Sequence, residues 1–227
     1  CSHLISRTAQ WLRSNSIACH RGRELGSVDT LTNLISQIDH WHVPTPGDAE
    51  HKEWQHFCIL GPEVQVILNW SLSGNSPRVI ALAREGAGNW EGDVDSIPAR
   101  DARLAPARVD ARLGHNTLEF EKGVYILAGA LQERPVAFRL ELRPHVLPWL
   151  MHDSLPMADG VINWLVVPRL TASGTVVIGQ HVHSLKDAPA YHDHNWGRWL
   201  WGQDFAWQWG FVLESKGLWS LVLCRTL

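Results

Sequence analysis

Apolar residues follow a helical period at the start of the chain. Between positions 28 and 41 they recur at a spacing of 3.6 residues, and Asp29 or Thr30 would cap a helix there. The apolar positions of this helix are Leu31, Leu34, Ile35, Ile38 and Trp41. A weaker helical pattern covers residues 2–14, and the V-P-T-P-G sequence at 43–47 is a breaker. The pattern predicts that the first 41 residues are mainly helical.

From position 51 the period changes to that of strands. Short apolar segments are bounded by glycine, proline and asparagine at a spacing of about 8–12 residues, which is typical of antiparallel β-sandwiches and barrels. Residues 163–170 and 175–183 are predicted to form a hairpin around Gly174. The prediction is a mostly β protein. A helical segment at 1–50 precedes two β domains, at 51–150 and 151–227, which are joined by a proline-interrupted connector.

The second predicted β domain is short. It holds only about four or five strands, whereas a closed barrel needs about eight. We therefore expect a second chain, or residues beyond position 227, to complete it.

Composition narrows the class of protein. The chain has 227 residues, 45% of them hydrophobic and 19% charged, which is typical of a globular protein. The net charge of −3 predicts no nucleic-acid partner. No run of about 18 apolar residues is present, so we expect no transmembrane segment. No signal peptide is recognised, which predicts a cytoplasmic protein. The four scattered cysteines contain no C-x-x-C pair, so we expect no zinc-thiolate site.

Tryptophan is unusually frequent. The chain has 13 tryptophans against two tyrosines and five phenylalanines. Five of them lie between positions 196 and 209: Trp196, Trp199, Trp201, Trp207 and Trp209. They would form either a bulky barrel core or an aromatic pocket for a large apolar ligand.

Two chemical hypotheses compete for the segment Tyr191-His-Asp-His-Asn195. On a strand, alternate side chains share a face, so His192 and His194 would lie opposite the other three. His192 and His194, together with His181 and His183 on another strand, have a spacing that suits a metal. No third ligand is evident beside them, and we therefore expect no metal.

The second hypothesis is a buried acid. Asp193, flanked by Tyr191 and Asn195 on one face among tryptophans, would have its pKa raised by desolvation and could donate a proton near neutral pH. The alternative is that Asp193 and Asn195 only satisfy a β-bulge or turn near Gly197.

These motifs resemble a known family. Y-x-D-x-N at 191–195, followed by W-x-W-G at 207–210, is similar to the signature of carotenoid 1,2-hydratase (hydroxyneurosporene synthase) and its lipocalin-like relatives. Glu53-Trp54 stands where that family has E-W-W-Y, with Gln55 and His56 replacing the last two residues. The resemblance covers about residues 50–215.

The resemblance implies two lipocalin-like β domains and a hydrophobic isoprenoid or polyene substrate, with no cofactor and no metal. Members of the family include hydratases, cyclases and pericyclases. Asp193 would be the acid, and Tyr191 and Asn195 would orient it. The expected substrate-binding residues are Glu53, Trp54, Trp196, Trp199, Trp207 and Trp209. The leading hypothesis is a hydratase or cyclase that protonates an alkene. A pericyclase that folds a polyene and a carrier of an apolar ligand are the alternatives.

Overall fold

The protein is built almost entirely from antiparallel strands. The computed structural model describes residues 15–21, 28–42, 48–200, 206–214, 216–217 and 219–226. One α-helix within these residues, α1, spans Val28–Ile38, and a 3-10 helix spans Ala99–Asp101. The first eight strands are β1 Asn15–Arg21, β2 His51–Leu60, β3 Val64–Ser73, β4 Ser76–Glu85, β5 Glu91–Ser96, β6 Ala102–Leu104, β7 Asp110–Leu113 and β8 Asn116–Glu121. The remaining strands are β9 Val124–Ala130, β10 Val136–Pro144, β11 Trp149–Met157, β12 Gly160–Ile178, β13 His181–Arg198, β14 Trp207–Leu213 and β15 Trp219–Thr226.

Twelve of these strands form one large sheet. Its order is β5-β4-β3-β2-β13-β12-β10-β9-β8-β7-β6, and β11 also pairs with β12. The long hairpin of β12 and β13 lies at the centre of this order. The sheet curls around a large apolar core, and α1 contributes Leu31 and Ile35 to it. A second sheet has the order β1-β15-β14. The predicted mostly β fold is confirmed.

The N-terminal segment is only partly helical. Helix α1 lies where the 3.6-residue pattern predicts it, with Leu31 and Ile35 buried. Asn15–Arg21, however, is strand β1 and pairs along its whole length with β15. The helical prediction for these residues is wrong, because a partner about 200 residues away in sequence supplies the hydrogen bonds. The helix predicted at 2–14 and the breaker at 43–47 lie outside the described residues.

The predicted hairpin around Gly174 is also wrong. Strand β12 is continuous through this position, and the chain turns only after Ile178. The backbone of Gly174 has φ +137°, and a Cβ added there would lie 2.2 Å from the carbonyl oxygen of Arg139 on β10. The pairing with β13 shifts register between Ala172 and Gly174. Gly174 therefore allows a bulge and a close approach of backbones within a strand.

The strands of the predicted second β domain, 151–227, are divided between the two sheets. Strands β12 and β13 hydrogen-bond to β10 and β2 within the large sheet, whereas β14 and β15 lie in the second sheet. Strand β1 supplies a third strand to that sheet. The division at 51–150 and 151–227, and the completion of the second domain by other residues, stay predictions. Across the described parts of the chain, no helix has the length and apolar character needed to cross a lipid bilayer.

Candidate functional site

The second half of β13 is covered on both faces. It pairs with β2 on one side and β12 on the other, and Asp193 lies opposite His56 and Val166. Successive side chains point to opposite faces of the sheet, and residues 190–195 are all buried, so both faces are covered here. Tyr191, Asp193 and Asn195 point to the layer between the two sheets, and the intervening histidines point into the core of the large sheet. This is the alternation that the sequence predicts.

Asp193 is held by two hydrogen bonds from its own strand. The Tyr191 hydroxyl donates to Oδ2 at 2.8 Å, and Asn195 Nδ2 donates to Oδ1 at 3.0 Å. The Trp209 indole N–H, from β14, donates in turn to the Tyr191 oxygen at 3.2 Å. Asp193 is only 3% exposed, so its orientation is fixed by partners that are also out of bulk water.

Burial raises the pKa of Asp193 to about 6. The Tyr191 hydrogen bond favours the charged form and opposes this rise. The nearby Trp164 N–H also favours the charged form of Asp193 and opposes the rise in its pKa, although it makes no hydrogen bond. Burial, followed by the charge of Asp193, raises the pKa of Tyr191 well above its usual range. Tyr191 therefore remains a phenol, whereas the carboxyl of Asp193 can exchange a proton near neutral pH.

Aromatic rings surround this carboxyl. The Trp207 ring lies 5.4 Å from Trp164, and Phe211 stacks on Tyr191 at 4.5 Å between ring centroids. Trp54 and Trp199 meet edge to face at 5.4 Å. The rings that β14 contributes to this layer are partly exposed, whereas Trp164 and Trp199 are buried. Four predicted substrate-binding tryptophans are thus on the Asp193 side: Trp54, Trp199, Trp207 and Trp209. Trp201 lies outside the described residues.

Trp196 and Glu53, also predicted to bind substrate, lie on the opposite side of the sheet. Trp196 stacks on His42 at 4.3 Å, next to His194. Glu53 is paired with Trp196 in the ladder, and its carboxylate accepts a hydrogen bond from His194 at 2.9 Å. Successive side chains on a strand point to opposite faces, so Trp196 shares a face with His194, two residues away, and not with Asp193, three residues away.

The histidine side of β13 holds a buried ionic cluster. His194 donates from Nδ1 to Asp39 at 2.9 Å and from Nε2 to Glu53 at 2.9 Å. His192 Nε2 lies 3.0 Å from the other Asp39 oxygen, which also accepts from the Tyr125 hydroxyl. Both His194 nitrogens face carboxylates, so the ring must be doubly protonated to satisfy both contacts.

The pKa values in this cluster diverge. Burial alone would raise the pKa of Asp39, but the adjacent His192 and His194 outweigh it and hold the carboxyl well below its usual range. Glu53 behaves in the same way beside His194 and its neighbours. Burial would lower the pKa of His194, but the two carboxylates raise it to about 9. At neutral pH this face therefore carries two carboxylates and at least one imidazolium.

Sequence reasoning missed most of this cluster. Asp39 and His42 come from the residues directly after α1, and no pattern singled them out. Glu53 also accepts hydrogen bonds from His42 and from His51 on the same strand. A signal was present on β2, where His51, Glu53 and Gln55 occupy alternate positions that lead into the buried apolar face of the strand.

The reason for expecting no metal is wrong. Each H-x-H pair has an acidic neighbour: Glu85 lies beside His181 and His183, and Asp39 lies beside His192 and His194. All four histidines of the two H-x-H pairs belong to β13, so they do not come together from two strands.

Comparison with known proteins identifies the fold. No family model and no curated protein sequence matches the chain. A Nitrosomonas europaea protein described as AttH is similar in structure, with 16% identity and a TM-score of 0.59 over 86% of this chain and 63% of its own. Kievitone hydratase from Nectria haematococca has 12% identity and a TM-score of 0.57, over 84% and 59%. CghA with Sch210972 has 13% identity and a TM-score of 0.51, over 92% and 68%.

These similarities show the lipocalin-like β fold that the sequence resemblance implied, and one of the three proteins is named a hydratase. The chain spans about three fifths of the length of the first two proteins. Identities of this size establish fold alone, so the chemistry rests on the side chains around Asp193.

Proposed function

We propose that this chain belongs to a cofactor-independent enzyme that protonates an alkene of an apolar isoprenoid or polyene substrate, and so catalyses hydration or cyclisation. The observation that carries the proposal is Asp193, a carboxyl that is 3% exposed, has a pKa of about 6 and is oriented by two hydrogen bonds. At pH 7, about one tenth of the molecules would hold it protonated, which suits a general acid.

In this proposal, Asp193 both donates the proton and accepts one back. The Asp193 carboxyl would give its proton to the less substituted carbon of the alkene, leaving a tertiary cation and a carboxylate. Water would capture the cation, and the proton that it then releases would return to Asp193, so the net change is addition of one water. Capture by an internal alkene, followed by proton loss to Asp193, would form a ring without a change in composition.

The surroundings of Asp193 support this chemistry. Indole faces stabilise a nearby cation by about 0.5–2 kcal/mol each, and Trp164 and Trp209 both lie in this layer. The rings of Trp207, Trp209 and Phe211 are only partly buried, so a substrate inserted between the sheets would cover them. Asn195 Oδ1 is buried and makes no hydrogen bond to any described residue, so it can accept one from a reacting water or a substrate hydroxyl.

The histidine cluster is less suited to the role of acid. His194 uses both ring nitrogens in bonds to carboxylates, and its pKa of about 9 makes it reluctant to release a proton near neutral pH. Asp39 and Glu53 are held ionised and have no proton to give. This network would instead fix the opposite face of β13 and thereby the position of Asp193.

The test begins with apolar compounds that copurify with the protein, identified by mass spectrometry. These compounds and a panel of acyclic isoprenoid alcohols are then incubated with wild type, Asp193→Asn and the exposed control Asp159→Asn. We expect conversion by wild type and the control, and a loss of roughly 100- to 10,000-fold in Asp193→Asn. Conversion that survives in Asp193→Asn would favour a pericyclase acting by orientation. Binding without any conversion would favour a carrier.

A further inference from the structure

A second cluster of chemically reactive side chains lies at the other end of β13. His181 and His183 are two residues apart on this strand and point to the same side. His181 Nδ1 and His183 Nε2 each lie 2.7 Å from Oε1 of Glu85, the last residue of β4. The three potential ligand atoms all lie within 4.8 Å of one another. The cluster combines two imidazoles and one carboxylate around a single point.

The fold, and not the local sequence, brings these residues together. Strand β13 pairs with β2 only from Ala190 onward, so its first half extends beyond the end of β2. It passes over the turn between β2 and β3, where Leu185 packs so closely on Gly61 that a Cβ there would lie 2.5 Å from it. Just before Leu185, the strand meets the end of β4, which is not its neighbour in the sheet. The cluster thus links two strands that no backbone hydrogen bonds connect.

We propose that Glu85, His181 and His183 bind one divalent transition-metal ion, with zinc as the best match. Two imidazole nitrogens and one carboxylate oxygen are a common zinc donor set that leaves a fourth position open. Imidazole ligands favour zinc, copper and nickel, whereas magnesium and calcium prefer oxygen ligands. The site needs no residue from the Asp193 layer, so it is independent of the proposed enzymatic function.

The geometry accommodates the ion with small side-chain movements. Around a tetrahedral zinc, with bonds of about 2.0–2.2 Å, donor atoms lie about 3.3–3.5 Å apart. The present contacts of 2.7 Å would therefore open by roughly 0.6–0.8 Å. The His181 side chain is 69% exposed and the Glu85 side chain 39%, which leaves both free to adjust, while the 16% exposed His183 gives the site a fixed side.

The cluster of His42, Glu53 and His194 offers the same types of ligand but is a poorer metal site. Its His194 has a carboxylate at each nitrogen, so a metal would have to displace a proton that Asp39 and Glu53 both stabilise. In the surface cluster, one carboxylate oxygen serves both histidines, and an ion inserted there replaces only that pair of hydrogen bonds.

Isothermal titration of the metal-stripped protein with ZnCl₂ tests the assignment. We expect one zinc per chain in wild type, with MgCl₂ giving no binding. The apparent Kd should rise at least tenfold in His183→Ala and in Glu85→Gln. Two controls should bind as wild type does: His115→Ala, which removes an exposed histidine outside the cluster, and His42→Ala, which removes a ligand of the other cluster.

A thermal-shift measurement separates binding from misfolding. Zinc bound only to the folded state raises the melting temperature, and it should do so in wild type and His115→Ala but not in Glu85→Gln. Glu85→Gln keeps the shape of a side chain that is 39% exposed at the end of a strand, so it should melt near wild type without zinc. The assignment is overturned if wild type binds no zinc, if Glu85→Gln and His183→Ala bind as wild type does, or if only His42→Ala loses binding.

Discussion

The raised pKa of Asp193 makes the stability of the protein depend on pH in a way that one substitution can reveal. The pKa of Asp193 is about 6 in the native state and about 3.9 in the unfolded chain. Between these values the native state binds more protons than the unfolded state, so the free energy of unfolding falls as pH rises. The contribution is fully present below about pH 4 and is lost above about pH 6.

The magnitude follows from the difference of about two pH units. Each unit corresponds to 1.36 kcal/mol, so the buried Asp193 carboxylate costs about 3 kcal/mol of stability at pH 8. Asp193→Asn removes this cost. The amide must turn its NH₂ group towards Tyr191, which then loses its acceptor, at a cost of about 1 kcal/mol. We therefore expect Asp193→Asn to be more stable than wild type by about 2 kcal/mol at pH 8 and less stable by about 1 kcal/mol at pH 4.

Urea unfolding at pH 4, 6 and 8 measures these differences, provided that the m-value does not change. Asp159→Asn makes the same chemical change on an exposed turn and should show no crossover. Comparing variants at one pH cancels the titration of all other groups. A variant that gains nothing at pH 8, or that gains more at pH 4 than at pH 8, would refute the account of Asp193.

Three further predictions test neighbouring parts of the structure. Tyr191→Phe removes the donor that favours the Asp193 carboxylate, so the pH above which kcat/KM declines should move to a higher value; a profile that moves to lower pH would contradict this. Asp39→Asn leaves two buried histidines without their shared carboxylate and should lower the free energy of unfolding at pH 7 by roughly 3–5 kcal/mol. Because the pKa of Asp39 is held below its usual range, its carboxylate stabilises the native state less as pH falls below about 4. Urea unfolding at pH 7 and at a pH below about 4 should therefore show a smaller difference between the variant and wild type at the lower pH. Gly174→Ala should destabilise more than Gly179→Ala, because its Cβ would lie 2.2 Å from a carbonyl oxygen of β10, whereas nothing lies within 4 Å at Gly179; equal melting temperatures would exclude the clash.

Much of the fold could be predicted from local patterns. The 3.6-residue period places α1, and alternation on β13 separates Asp193 from His192 and His194 without knowledge of any partner strand. The same alternation also places Trp196 with the histidines, which a stricter use of parity would have shown. Local rules succeed where the period of the strand alone decides which face a side chain occupies.

The remaining features depend on contacts between distant parts of the chain. Strand β1 is a strand because β15 offers it a partner, and Glu85 reaches His183 only because β13 passes over the β2–β3 turn. Asp39 joins the ionic cluster from a segment far from β13 in sequence. Gly174 lies in a segment whose composition is typical of a turn, but a glycine is needed there because the backbone of β10 approaches closely. None of these pairings leaves a periodic signal in the sequence.

The central claim is that Asp193 delivers a proton to carbon. Conversion of the identified apolar substrate in D₂O tests this directly, with the product analysed by mass spectrometry and NMR. For a hydration, we expect one deuterium on the carbon next to the new C–O bond, no label there in substrate recovered unchanged, and no labelled product from Asp193→Asn. A product formed in D₂O without carbon-bound deuterium, or labelled product formed at the wild-type rate by Asp193→Asn, would contradict the acid role of Asp193.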